Sequence, residues 1–351
     1  MNAPMNTGAG TPTEPILVVE DLHVTFQTRG SREVRAVDGV SFEVRPGETL
    51  GVVGESGSGK SVTSLAILGL LPSRGVQVSG SIRLGGRDLL RTSNRELQRI
   101  RGRQVAMVFQ DPMTSLNPVY SVGWQISEAV RAHEKVSKKQ AMARSAELLD
   151  LVGIPNASTR VNSYPHEFSG GMRQRVMIAM SMANNPQVLI ADEPTTALDV
   201  TVQAQILETL MELQQRTQIA IILITHDLGV VAGMADRVMV MYAGTAVEIA
   251  EVDDVFYRPK MPYTIGLLGA IPGEGSDGQP LRQIKGSTPS LINLKPGCAF
   301  NSRCPVAIDR CRTETPALLE VGGLGHLSAC HRRDEIDSLD VRAKFAPEVL
   351  A

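Results

Sequence analysis

The sequence predicts an α/β fold built around a phosphate-binding loop, with β-rich chain before it and a long helical insertion after it. Three observations carry this. The apolar run Thr49-Leu50-Gly51-Val52-Val53 leads directly into Gly54-Glu55-Ser56-Gly57-Ser58-Gly59-Lys60-Ser61 and then into the helix-like Val62-Thr63-Ser64-Leu65-Ala66-Ile67-Leu68. A second apolar run, Val188-Leu189-Ile190-Ala191, ends in two carboxylates, Asp192 and Glu193. Between them, residues 94–183 turn to helical periodicity.

Taken in chain order, residues 1–15 are rich in Asn, Gly, Thr and Pro and read as a flexible leader. Alternation typical of strands dominates residues 16–53 and returns over 76–90, with Gly47, Gly80, Gly85 and Gly86 at turns. In the loop after the strand at 49–53, glycines let backbone N–H groups turn toward a polyphosphate, and the helix N-terminus adds its positive dipole end. Lys60 is placed to reach the β- and γ-phosphates and Ser61 to ligate Mg²⁺, with Val62 next in the helix.

The insertion reads as helices over 96–101, 123–133, 138–152 and 173–183, with a strand at Val105–Phe109 leading to Gln110. Phe168-Ser169-Gly170-Gly171-Met172 stands at the head of the last helix; Ser-Gly-Gly by itself is more often a turn than a site. Asp192, at the end of a buried strand, is the acid on the metal side. Glu193, next along an extended chain and ahead of Pro194, is expected to point the other way and to serve as general base. Residues 203–216 place Ile206, Leu210 and Leu213 at helical spacing. The buried strand Ile219–Ile224 precedes His226, and strands follow at 237–242 and 245–250.

Charge is nearly balanced, −2 from 35 basic and 37 acidic residues, so no nucleic-acid footprint is expected. Apolar runs such as Ile219–Ile224 are too short to cross a bilayer, and residues 1–15 carry neither the basic nor the apolar part of a signal peptide. All four cysteines lie past a Gly/Pro-rich linker, spaced Cys298-x5-Cys304-x6-Cys311-x18-Cys330 among Arg303, Arg310, Arg312, His331, Arg332 and Arg333. Four unconnected thiols, disulfides and a metal site are the alternatives. Zinc sites usually open with a pair two to four residues apart, absent here, whereas four thiolates suit a 4Fe–4S cluster whose charge the arginines offset. The expectation is a 4Fe–4S cluster, with zinc as the alternative.

In this order and spacing the motifs resemble those of ATP-binding cassette (ABC) proteins. The resemblance makes Ser169-Gly170-Gly171 the signature that donates to the γ-phosphate, with Phe168 and Met172 where leucine and glutamine are commoner. It makes Gln110 the Q-loop glutamine and a Mg²⁺-side residue, Ala197-Leu198-Asp199 the D-loop, His226 the switch histidine and Phe26 the aromatic that stacks on adenine. It implies a phosphate-loop ABC ATPase core over 16–271, with an N-terminal antiparallel β subdomain and an inserted helical subdomain at about 94–183. A linker at 272–297 and a small Cys-rich extension at 298–351 follow. In this family two cassettes sandwich two ATP molecules, each signature facing the partner's phosphate loop, and the helical subdomain receives coupling helices of membrane subunits. Guanine specificity has no support, since no Asn-Lys-x-Asp occurs.

The stretch Tyr257-Arg258-Pro259-Lys260-Met261-Pro262-Tyr263-Thr264, then Leu267-Leu268-Gly269-Ala270-Ile271-Pro272, Gly297-Cys298-Ala299-Phe300 and Arg303-Cys304-Pro305, is similar to the C-terminal extension of ATPase subunits of bacterial oligopeptide and dipeptide permeases. Ile284-Lys285-Gly286 stands where that family has Ile-Pro-Gly. The resemblance implies an importer motor at the cytoplasmic face of the bacterial inner membrane. Its partners would be a second, commonly non-identical ATPase, two integral membrane permease subunits and an extracytoplasmic substrate-binding protein. The alternatives are an importer of another cargo such as nickel, a soluble cassette ATPase acting on ribosomes or DNA, and a module that binds ATP without hydrolysing it.

Overall fold

A computed structural model of the chain describes residues 14–28, 32–196, 198–270, 284–292, 294, 296–323 and 325–345. Ala197 of the D-loop, most of the N-terminal leader, residue 271 and the 272–283 part of the expected linker lie outside the described residues. The N-terminal strands β1 (Leu17–Thr28) and β2 (Arg32–Val44) pair antiparallel. Strands β4 (Val76–Leu84) and β5 (Arg87–Asp88) complete a four-stranded antiparallel sheet in the order β2-β1-β4-β5. The second sheet is built on β3 (Thr49–Val53), β6 (Val105–Val108), β7 (Val188–Asp192), β8 (Ala220–Ile224) and β9 (Arg237–Tyr242). These five run parallel. Then β10 (Thr245–Glu251), β12 (Leu327–Ser328) and β11 (Leu319–Glu320) add on antiparallel, giving the order β11-β12-β10-β9-β3-β8-β7-β6.

Period-2 geometry explains why the parallel strands read as unbroken apolar runs. On β7, Leu189 and Ala191 enter the core shared with the helical insertion, while Val188 and Ile190 enter the core beneath the antiparallel sheet. On β8, Ile221 and Leu223 take the first face, and Ala220, Ile222 and Ile224 the second. The same alternation puts Asp192 on the second face, where the phosphate-loop helix Lys60–Ile67 packs through Ala66 and Ile67.

The insertion is helical as expected: Asn94–Ile100, Val122–Arg131, Lys138–Leu151 and Gly170–Ser181, all four opened by side-chain caps, from Ser93, Ser121, Ser137 and Ser169. Helix Val200–Thr217 starts on Asp199, whose carboxylate accepts from the Val202 N–H at 3.0 Å.

The extension is not a body apart. Its strand β12 pairs with β10 through Glu248↔Ser328 and Ile249↔Leu327, and Ile292 bridges to Val34 of β2. His326 Nε2 and Glu248 Oε1, both buried, meet at 2.8 Å. A third core joins Val53, Val240 and Tyr242 of the cassette to Phe300, Val306, Cys330 and Ile336 of the extension.

Candidate functional site

The phosphate loop leaves β3 and turns back under its own helix. Gly54 has φ +152° and a Cβ there would lie 2.2 Å from the Met241 carbonyl; Gly59 has φ +101° and a Cβ would lie 2.5 Å from the Ala36 carbonyl. Neither site admits a side chain. Lys60 Nζ curls over the loop, donating to the carbonyls of Gly54 at 2.7 Å and Glu55 at 3.0 Å, with Ser58 Oγ at 3.5 Å. Burial pushes the Lys60 ammonium below its ordinary range, opposed by the carboxylates of Glu193, Asp192 and Glu55. Ser61 Oγ donates to Asp192 Oδ1 at 3.2 Å. Burial also pushes the Asp192 carboxyl up; the Ser61 hydroxyl and Lys60 oppose this and Glu193 adds to it. A carboxylate beside a hydroxyl offers the oxygen donors that suit a divalent cation.

Glu193 gathers the remaining groups. Its Oε2 accepts from Gln110 Nε2 at 2.8 Å and from Thr196 Oγ1 at 2.8 Å, and its Oε1 lies 3.4 Å from His226 Nδ1. The expectation that an extended chain directs Glu193 away from Asp192 needs correction. Glu193 has φ +47°, a left-handed conformation costly for a residue with a side chain, and its N–H is held by the Ile224 carbonyl at 2.8 Å. The turn, rather than strand alternation, aims the carboxylate. Thr196 and the backbone of Glu193 carry no sequence signal that could have marked them.

Ser169, Gly170 and Gly171 do not join this cluster within the chain. Ser169 caps its own helix through the Met172 N–H at 3.4 Å. A Cβ on Gly170 would meet Leu198, and one on Gly171 would sit 2.3 Å from Val202 Cγ1. Phe168 is buried in the helical core under Arg160, whose guanidinium lies 5.5 Å from the ring centroid, so the unusual residue there is structural. Phe26 is half-buried on β1, opposite Val34 and Val76.

The four cysteines, all unpaired, line one small cavity together with Asn301, Val306 and Arg332. Backbone N–H groups of Phe300, Val306 and Arg332 are directed at the sulfurs of Cys298, Cys304 and Cys330. Burial pushes the thiols of Cys304 up to about 12 and Cys330 up to about 11. The expected metal centre is not formed by the side chains as they stand: among the described residues no three His, Cys, Asp or Glu side chains are grouped closely enough to hold a metal ion. The physical reason is that burial raises the thiols of Cys298, Cys304 and Cys330, which favours packing as small apolar groups over convergence as thiolates.

Contacts that the sequence did not foretell tie the phosphate loop to the last part of the chain. The Glu55 N–H donates to Tyr263 Oη at 2.9 Å, and Arg303 Nη1 donates to Glu55 Oε2 at 2.9 Å.

Residues 37–196 match the family model described as ABC transporter, and residues 247–311 match the oligopeptide/dipeptide transporter C-terminal region. The chain is 51% identical to the oligopeptide transport ATP-binding protein OppD of Salmonella typhimurium, over 93% of this chain and 96% of that protein. It is 52% identical to the OppD of Mycobacterium tuberculosis over 96% of this chain, yet spans only 56% of that longer relative. A dimeric ATP-binding cassette solved in a post-hydrolysis state with ADP and phosphate superposes with a TM-score of 0.60 over 67% of this chain and 98% of its own, at 24% identity, which shows the fold.

Proposed function

The chain belongs to the ABC transporter ATP-binding subunits of the oligopeptide/dipeptide type, and from that premise we propose that it is the ATP-hydrolysing motor of a peptide importer. The single observation that carries the hydrolytic part is the convergence of Gln110, Thr196 and His226 on the Glu193 carboxylate, beside the Ser61–Asp192 pair and Lys60. A module that only bound ATP would need no such carboxylate.

In this reading Gly54 to Val62 cradle the phosphates, Lys60 neutralises them, and Phe26 offers its ring to adenine. Ser61, Asp192 and Gln110 would hold Mg²⁺, which offsets phosphate charge when bound. Glu193 takes a proton from the attacking water while His226 and Gln110 fix its orientation. Lys60 gives up its contacts to the Gly54 and Glu55 carbonyls and turns to the phosphates. Ser169, Gly170 and Gly171 face the partner subunit's phosphate loop, which accounts for their separation from the cluster in one chain. Closure of two such chains over ATP and reopening after hydrolysis is the power stroke.

A groove of about 590 Å³ between the core and the helical insertion, lined by Leu68, Leu70, Met107, Phe109, Met177 and Met180, supports docking of a membrane-subunit helix. Among the described residues no helix is long and apolar enough to cross a membrane, in keeping with a peripheral subunit on the cytoplasmic face. The partners are a second ATPase, two permease subunits and an extracytoplasmic binding protein; peptide is the cargo, with nickel as the alternative. Mass spectrometry of the ligand retained by the co-purifying binding protein tests the cargo: a metal chelate in place of peptide overturns it.

The four cysteines form the donor set for a 4Fe–4S cluster, which would staple the extension. Their convergence on one cavity and the N–H groups aimed at three sulfurs support it. Brown, anaerobically purified protein that bleaches on replacement of any one cysteine by serine is the expected result; one zinc per colourless chain overturns it.

A further inference from the structure

Arg303 reaches from the cysteine-rich extension to the rim of the nucleotide site. Its side chain is 6% exposed, and every nitrogen is engaged. Nη1 donates to Glu55 Oε2 at 2.9 Å and to Tyr242 Oη at 3.2 Å, Nε to the Lys285 carbonyl at 3.3 Å, and Nη2 to the Ile284 carbonyl at 3.4 Å. The guanidinium also lies 5.8 Å from the Tyr242 ring centroid and 5.9 Å from that of Phe300. Lysine has neither the fork nor the flat face to fill that place.

Glu55 is held at three points. Its side chain meets Arg303, its N–H donates to Tyr263 Oη, and its carbonyl accepts from Lys60 Nζ. Burial pushes the Tyr263 hydroxyl up, so it stays protonated. Tyr263 and Tyr242 pack on each other and on Phe300, with ring centroids 4.5 to 5.4 Å apart. The second residue of the phosphate loop is therefore held jointly by Tyr263 of the cassette and Arg303 of the extension, both of which sit in one aromatic cluster.

We propose that Arg303 is a positioning residue of the nucleotide site: through Glu55 it sets the shape of the phosphate loop, so that the extension governs affinity for the polyphosphate. The inference rests on the ATP reading above. It also gives the extension a second part to play, since Arg303 immediately precedes Cys304 and anything that loosens the cysteine cavity loosens the clamp.

Titration of the full chain with MgATP tests this, because it returns affinity and the number of competent sites separately. Arg303→Lys is expected to raise the Kd by roughly tenfold or more with site number near that of the parent. A purely structural role would lower the site number and leave the Kd alone; that result, or an unchanged Kd and site number, overturns the proposal. Should Arg303→Lys not fold, Glu55→Gln decides by amide hydrogen exchange: faster exchange in both 54–59 and 300–306 is expected, and faster exchange in the loop alone overturns it. If the parent itself binds no MgATP, the nucleotide reading falls and this inference with it; parental binding with an unaffected Arg303→Lys removes this inference only.

Discussion

The nucleotide site and the extension meet at Glu55 and are built on opposite plans. At the first, polar groups stand on loops at the carboxyl ends of β3, β6, β7 and β8. They partly satisfy one another and stay open, with the Glu193 side chain 20% and His226 67% exposed. At the second, three aromatic rings and a guanidinium pack on one another, with Phe300 1% and the Arg303 side chain 6% exposed. The open region can exchange its internal contacts for phosphate, metal and water. The closed one holds geometry. Chemistry is thus placed where the sheet ends, and rigidity is supplied by a cluster assembled from distant parts of the chain.

The largest effect should come from opening the closed region. Phe300 is 1% exposed, so Phe300→Ala should cost about 3–5 kcal/mol in denaturant unfolding. A loss under about 1 kcal/mol would mean the cluster relaxes freely and is not rigid. Next comes the open region. Glu193→Gln should cut turnover in the assembled transporter roughly a hundredfold or more, about 3 kcal/mol in barrier, while MgATP still binds. Turnover at the parental rate would remove Glu193 as the base.

Two helix caps sharpen the contrast between position and chemistry. Ser137 and Ser169 both cap helices, and replacing either by Ala should cost about 1 kcal/mol of stability. Only Ser169→Ala should also lower ATPase activity, because Ser137 faces no nucleotide; equal activities would leave the signature serine as a cap and nothing more.

The smallest effect at neutral pH concerns the thiols. Cys304 is raised from 9.0 to about 12 in the folded chain, so between these values the folded state binds more protons than the unfolded state. Its contribution is whole below pH 9.0 and is lost as pH rises toward 12. Metal-free protein should therefore lose stability across that window more steeply than its Cys304→Ala variant. Parallel pH profiles would show that burial does not hold this thiol.

Most of the cassette was legible because its elements announce themselves locally. The strands at 49–53, 237–242 and 245–251 fall within a residue of their expected bounds, since both faces of the sheet demand apolar side chains. Helix ends moved by one to three residues, as at Gly170–Ser181, where Ser169 caps the helix earlier than the apolar pattern suggests. The order of the motifs was enough to place Lys60, Asp192, Glu193, Gln110 and His226 in one site. The left-handed turn at Glu193 was not legible, because Asp-Glu-Pro reads as the end of a strand and gives no sign that Ile224 would hold the turned N–H.

What the sequence alone determined is therefore the set of reactive residues: a glycine-rich loop ending in Lys60 and Ser61, Asp192 and Glu193 at the end of an apolar strand, His226 past another, and four cysteines gathered in the last part of the chain. Only the tertiary structure decided how the last part of the chain joins the first. Glu55 and Arg303 are 248 residues apart, and Glu248 and His326 are 78 apart. Nothing in the periodicity of either segment foretells such pairs. Local patterns reflect the repeat of a helix or strand, whereas these contacts exist because β12 docks on β10 and carries its neighbours with it. A buried charge is stable only where a partner has been brought to it, and the docking of the sheet edge brings that partner.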